Sequence, residues 1–135
     1  MVAYSFKAMF ADQIERGAKR QTVRADRQRH ARVGEAIQLY TAMRTRHCRK
    51  LVDPDPVCIA VQHIEISLPY GHSSIIAAIA VDGIPLTDDE IDEFAIADGF
   101  GEGAGWPRFK MGRFWLDNHG WKDFSGVLIK WGSRG

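Results

Sequence analysis

Gly17-Ala18-Lys19-Arg20-Gln21-Thr22-Val23-Arg24 places a helix stop, a lysine, a threonine and an arginine within one short stretch. Gly17 can end a preceding helix, and Gln21 to Arg24 reads as extended. The same stretch opens the most basic part of the chain. Residues 16 to 50 hold eleven basic side chains against Asp26 and Glu35, a net of +9, whereas the whole chain is only +1. Residues 82 to 102 balance this with eight acidic side chains and no basic one. A near-neutral total therefore conceals a split, which suggests a face suited to an anionic partner, phosphate first among the candidates.

The chain has 135 residues, 45% hydrophobic and 26% charged, which fits one globular domain over residues 1 to 135. Its longest strongly apolar run, Ile75 to Val81, is far shorter than the roughly 20 residues that span a bilayer. The N-terminus lacks the pattern of a signal peptide, so a soluble cytoplasmic protein without membrane association is expected. Cys48 and Cys58 flank Asp53-Pro54-Asp55-Pro56, which reads as a turn. Were the flanking strands paired, the two thiols would face one another across a hairpin, free in a reducing compartment. His47, His63 and His72 raise zinc, but their spacing matches no standard ligand pattern. No metal and no cofactor is expected.

Outward from the opening stretch, apolar spacing gives six strand candidates and three helices, an α+β organisation. Val2 to Phe6 is a strand candidate, and Ala8 to Arg16 places Met9, Phe10 and Ile14 at helical spacing before Gly17. Ala25 to Val33 is an exposed, arginine-rich loop. Glu35 to Thr41 alternates as a half-buried strand does, through Ile37, Leu39 and less cleanly Met43. Val57 to Leu68 continues the alternation, with a one-residue shift of phase that suggests a bulge near His63. Ile75 to Val81 is a buried strand ending at the turn dipeptide Asp82-Gly83.

Thr87 and Glu90 then form the capping box of a helix from Asp88 to about Ala97, with Ile91, Phe94 and Ala95 inward. Much of the acidic cluster is thereby structural. Gly99 to Gly105 lacks the context of a phosphate-binding loop and reads as a flexible connector. Pro107 opens a third helix that buries Met111, Phe114 and Trp115 and stops at Gly120; Gly126 to Trp131 is a strand closing the sheet.

In this order, Phe6, the helix ending at Gly17, Lys19, Thr22, Val23 and Arg24, Val33-Gly34-Glu35, Ala97-Asp98-Gly99-Phe100, Phe114-Trp115 and Val127 to Trp131 resemble the ASCH family. The resemblance spans most of the chain. It implies a small PUA-like β-barrel of about five to six strands flanked by three helices. It also implies a cleft beside the barrel for RNA or a nucleotide-like ligand, with Lys19 and Arg24 pointing into it. One branch of the family removes the acyl group of N4-acetylcytidine with a Lys, a Thr and a Glu. Lys19 and Thr22 match the first two at the same spacing, and Asp98 stands by order in the third place, one methylene shorter than glutamate. Glu93 or Glu102 would replace it only if the fold brought them in.

Two functions follow from these residues. In a binding module, Lys19, Arg20, Arg24, Arg27 and Arg29 would hold phosphate while Tyr40 or Trp106 offers a stacking surface. In an amide hydrolase, Lys19 would act as base and Thr22 as nucleophile, with an acidic partner. A lysine can be a base only when neutral, so its pKa of about 10.4 must fall by roughly 3 units, about 4 kcal/mol of differential interaction. Strand alternation puts Thr22 and Arg24 on one face. Lys19 joins them only if it comes from the turn before the strand. Thr22 has a plainer reading as a β-branched strand residue with a satisfied hydroxyl.

Overall fold

A computed structural model describes residues 2–132. It is an α+β structure with three helices and two sheets. The first sheet has the order β1 (Val2–Phe6), β3 (Ile37–Thr41), β4 (Arg49–Lys50), with β1 and β3 parallel. The second runs β2 (Gln21–Ala25), β8 (Phe124–Gly132), β5 (Val57–Ser67), β6 (Ala78–Val81), β7 (Ile84–Pro85), and every pairing in it is antiparallel. No helix among the described residues is long and apolar enough to cross a membrane.

One seam joins the sheets. Gly34 N donates to Cys58 O (2.8 Å), Cys58 N to Glu35 O (2.8 Å) and Ile37 N to Pro56 O (2.9 Å). Among the described residues no ladder joins β1 to β2, and no closed barrel is found. The core lies between the sheets and under the helices. Val2, Tyr4 and Phe6 alternate inward on β1, and Ile37, Leu39 and Thr41 on β3. The buried side of β8 changes midway: Gly126 and Leu128 are followed by Ile129 and Trp131. This strand lies inside its sheet, paired with β2 on one side and β5 on the other.

Several expectations give way to tertiary structure. The cysteines face no common hairpin, because β4 pairs with β3 while β5 pairs with β6 and β8; Cys48 is exposed and Cys58 buried. The irregularity in β5 lies between Cys58 and Ala60, and the ladder passes His63 unbroken. What imitates a phase shift is an outward apolar pair, Ile59 and Val61, ahead of the inward Ile64, Ile66 and Leu68. Met9 is exposed on α1 (Ala8–Glu15) and Phe114 only half-buried on α3 (Pro107–His119). Ile75 and Ile76 are buried in an irregular segment before β6, with Ile75 at φ +62°.

The local signals hold where a side chain bonds its own backbone. Thr87 Oγ1 accepts from Glu90 N (3.2 Å) and Glu90 Oε1 from Thr87 N (2.9 Å), which completes the capping box of α2 (Asp88–Ala95). Asp82 and Gly83 both take positive φ, the geometry of the tight turn between β6 and β7. Helix α2 then winds into one π-helical turn, Ile96–Phe100. On α3, Gly112 is a contact point: a Cβ there would lie 2.8 Å from Ile75 Cβ and 3.2 Å from Ser74 O.

Gly112→Ala sets two effects against each other. Helix propensity favours alanine by about 1 kcal/mol, whereas overpacking against a β-branched side chain costs about 1–3 kcal/mol. Ile75 holds its Cβ on a constrained backbone, so the clash wins and Gly112→Ala lowers stability in urea denaturation. An equal or raised midpoint would show that α3 does not press on residues 74 and 75.

Candidate functional site

Lys19 reaches the interior because it precedes the strand. It sits in the bend between Gly17, at φ +78°, and the start of β2 at Gln21, so it is not bound to the alternation that separates it from Thr22 and Arg24. Its side chain is only 3% exposed. The ammonium donates to the backbone oxygen of Asp98 (2.6 Å), lies 3.4 Å from Asp98 Oδ1 and sits 4.7 Å from the centre of the Phe10 ring. Gln21 Nε2 donates to the same carboxylate oxygen (3.3 Å), and Gln13 Nε2 to Gly99 O (3.0 Å).

The π-helical turn makes this possible by presenting both the carbonyl and the carboxylate of Asp98. Gly99 is part of the site and not of a flexible connector. At φ +107°, a Cβ on it would come within 2.8 Å of the Phe10 ring and 3.2 Å of Lys19 Cδ. Only a residue without a side chain lets the turn approach this closely.

Burial lowers the pKa of the Lys19 ammonium; Asp98 opposes this and Arg24 adds to it. Burial raises the pKa of Asp98 against the pull of Lys19, Gln21 and Arg24. Both shifts favour the uncharged forms of the pair.

Thr22 is buried, and its Oγ1 accepts from Arg24 Nε (3.0 Å). A further nitrogen of Arg24 donates to Ser5 O (2.6 Å), and its guanidinium lies 4.8 Å from the Phe6 ring centre and 5.3 Å from that of Tyr4. Among the described residues no hydrogen bond joins Lys19 to Thr22. Lys19, Thr22, Arg24 and Asp98 line one cavity of about 280 Å³, near the lower end of the range for small-ligand sites. Its walls are largely aromatic. Phe6, Phe10, Phe114, Trp115 and Phe124 line it, with Phe10 edge-on to Phe114 (5.6 Å) and Trp115 against Phe124 (4.6 Å).

The other expected contact residues lie elsewhere. Arg20 is exposed, donates to Gly17 O (3.1 Å) and opens onto a separate cavity beside Arg16 and Trp131. Arg27 covers the Tyr4 ring at 4.6 Å and donates to Arg29 O. Arg29 is held by Glu35, which raises the arginine pKa as the arginine lowers that of Glu35. Tyr40 stands opposite Lys50 in the first sheet, and Trp106 precedes α3 with Arg108 over its ring at 5.7 Å. Neither aromatic lines the cavity, because register fixes one and the helix start fixes the other. Glu93 does not line it either, and Glu102 pairs with Arg16.

Sequence reading missed two rim residues. Lys7, just before α1, donates to Asn118 Oδ1 (2.9 Å), and His119, the last residue of α3, stacks on Trp115 at 4.6 Å. Both are exposed and line the cavity. Their positions at helix ends are visible in the sequence, but nothing there brings residues 7 and 119 together. Among the described residues no group of three metal-ligating side chains forms.

Removing either partner of the buried pair makes stability depend on pH, with opposite signs. In Lys19→Met, Asp98 keeps its raised pKa without a counter-charge. Its folded state holds the proton more tightly than its unfolded state, so stability is greatest in acid and falls as pH rises above 3.8, the ordinary value. In Asp98→Asn, Lys19 keeps its lowered pKa. Its unfolded state binds the proton more tightly, so stability climbs with pH from the lowered folded value toward 10.5. At neutral pH each variant loses about 3 kcal/mol. Urea midpoints across pH test this, and parallel profiles for both variants and wild type would rule it out.

Comparison of the chain with protein-family models, with curated proteins and with solved structures found no match, so the reading of the site rests on its own residues.

Proposed function

We propose that the cavity binds a nucleoside or nucleotide, free or as a base turned out of an RNA strand, in the manner of an ASCH module. The supporting observation is the meeting of Lys19, Thr22, Arg24 and Asp98 inside one aromatic-walled cavity of about 280 Å³. Aromatic walls suit a planar heterocycle, which stacks or packs edge-on against them. The polar groups at the floor offer both donors and acceptors, which a base edge needs and a hydrocarbon does not. On this reading the two sheets are the opened halves of a small PUA-like barrel, joined along the seam at residues 34–37 and 56–58. Arg27 and Arg29, tied to their own neighbours, contribute a field at the surface and no direct ligand contact.

Amide hydrolysis of a modified pyrimidine nucleoside is the second reading, favoured by the desolvated Lys19 beside Thr22. The neutral amine would take the Thr22 hydroxyl proton as the oxygen attacks the amide carbonyl. The amine of the base would leave with a proton, and water would then release the acyl group from Thr22 as a carboxylic acid. Two contacts weigh against it. Lys19 bonds Asp98, and the Thr22 oxygen already accepts from Arg24.

Titration calorimetry with cytidine, N4-acetylcytidine and a short single-stranded RNA tests both. Binding is expected with wild type, with about tenfold or greater loss in Arg24→Met. Absence of binding by all three ligands would refute the proposal. Release of acetate from N4-acetylcytidine, lost in Thr22→Val, would establish hydrolysis in its place.

A further inference from the structure

The walls of the cavity do not balance in charge. Lys7, Lys19 and Arg24 line it, and the one carboxylate among the lining residues is Asp98. The Lys19–Asp98 pair sums to zero whether its proton resides on the amine or on the carboxyl. Lys7 and Arg24 therefore leave an excess of two positive charges that does not depend on how the pair titrates. Neither has a carboxylate partner among the described residues. Lys7 donates to the neutral Asn118 side chain and lies 5.6 Å from the Phe114 ring, while Arg24 donates to Thr22 and to Ser5 O.

These two cations flank one point of the fold. Arg24 bonds the carbonyl of Ser5 at the end of β1 and covers Phe6, and Lys7 is the residue that follows. Arg24 is half-buried, Lys7 exposed, and His119 exposed beside Asn118, the residue that holds the Lys7 amine. The positive groups thus rise from the wall to the rim, above an interior that is aromatic and, with the buried pair, neutral in sum.

We propose that the ligand is a nucleoside monophosphate, its base in the aromatic interior and its phosphate at the rim between Lys7 and Arg24. A phosphate monoester carries about −1.5 to −2 charges at pH 7, which matches the excess. A triphosphate would bring roughly twice that charge against the same two cations. Arg24 supplies a directed guanidinium donor and Lys7 a mobile point charge. His119 offers an N–H donor in either protonation state. This assignment rests on the nucleoside or nucleotide reading and adds to it the charged group that decides affinity.

The test compares the four ribonucleosides with their 5′-monophosphates by calorimetry on the whole chain, in wild type, Lys7→Met and Lys7→Glu. For the base that binds best, the monophosphate is expected to bind about tenfold or more tightly than its nucleoside in wild type. That ratio, taken within each variant, collapses toward one in Lys7→Met and inverts in Lys7→Glu, and it shrinks as salt is raised. Lys7 is exposed, so these variants fold. Equal affinity for nucleoside and monophosphate would overturn the inference and leave the base-binding reading standing. A ratio that survives both Lys7 variants would likewise overturn it. Failure of every nucleoside and monophosphate to bind would overturn both.

Discussion

A lysine ammonium with almost no access to water, held by the carbonyl and carboxylate of one aspartate 79 residues further along the chain, is the constraint on which the cleft depends. Taking such a pair out of water costs several kcal/mol per ion before any attraction is counted. The surroundings offset that cost through geometry. Gln21 shares the Asp98 carboxylate and Gln13 holds the next carbonyl, so α1, the bend, β2 and the π-helical turn are tied at one point. Gly99 lets the turn come close enough, since a side chain there would strike both Phe10 and Lys19. A well-packed apolar pair would serve stability at least as well. Buried ionisable groups with opposed shifts, opening onto a cavity, are the pattern found at functional sites.

The same pair explains what becomes of the split in charge along the sequence. Among the described residues, two ion pairs join the basic segment to the acidic one, Lys19 with Asp98 and Arg16 with Glu102. Further pairs absorb Arg29, Arg49 and Lys50 within the first half of the chain. Among the described residues, ion pairs thus hold five of the block's eleven basic residues and leave six without a carboxylate partner. Positive charge that remains at the cavity comes from Arg24, inside the block, and from Lys7, outside it. Net charge along a sequence measures a field at a distance, whereas a site depends on which charges lack a partner nearby.

Legibility in the sequence followed the range of the interaction that fixes each element. The capping box at Thr87 and Glu90, the turn at Asp82-Gly83 and the stop at Gly17 bond within a few residues, and they stand where the sequence puts them. For Lys19, Thr22 and Arg24 the sequence set only a condition, that the lysine come from the turn before the strand, and the bend after Gly17 meets it. Partners set by distant chain were not. β4 and β7 are two residues long, too short for any period, and β4 takes a partner that leaves the cysteines apart. The outward apolar pair Ile59 and Val61 draws the expected bulge toward His63, whereas the shift of register lies between Cys58 and Ala60 and the ladder is regular from Ala60 onward. Tyr40 and Trp106 had the right chemistry for stacking, and only the sheet register and the start of α3 show that they stand away from the cavity, which Phe and Trp side chains of other elements line.

Separating a neutral, polar floor from a charged rim has a consequence for how such a site would discriminate. In a dry interior a mismatched hydrogen-bond partner leaves a buried donor or acceptor unsatisfied, at a cost of about 1–3 kcal/mol. Lys19, Asp98 and Thr22 are buried and line the cavity, so that penalty applies at the floor. At the rim, Lys7 and His119 are exposed, and solvent softens any mismatch there. On the proposed reading, the identity of a base would be set where water is excluded, and a phosphate would add affinity where water is present. Burial shifts Lys19 and Asp98 toward their uncharged forms, and because a proton passed within the pair would leave the charge of the cavity unchanged, the proposed attraction at the rim would not depend on it.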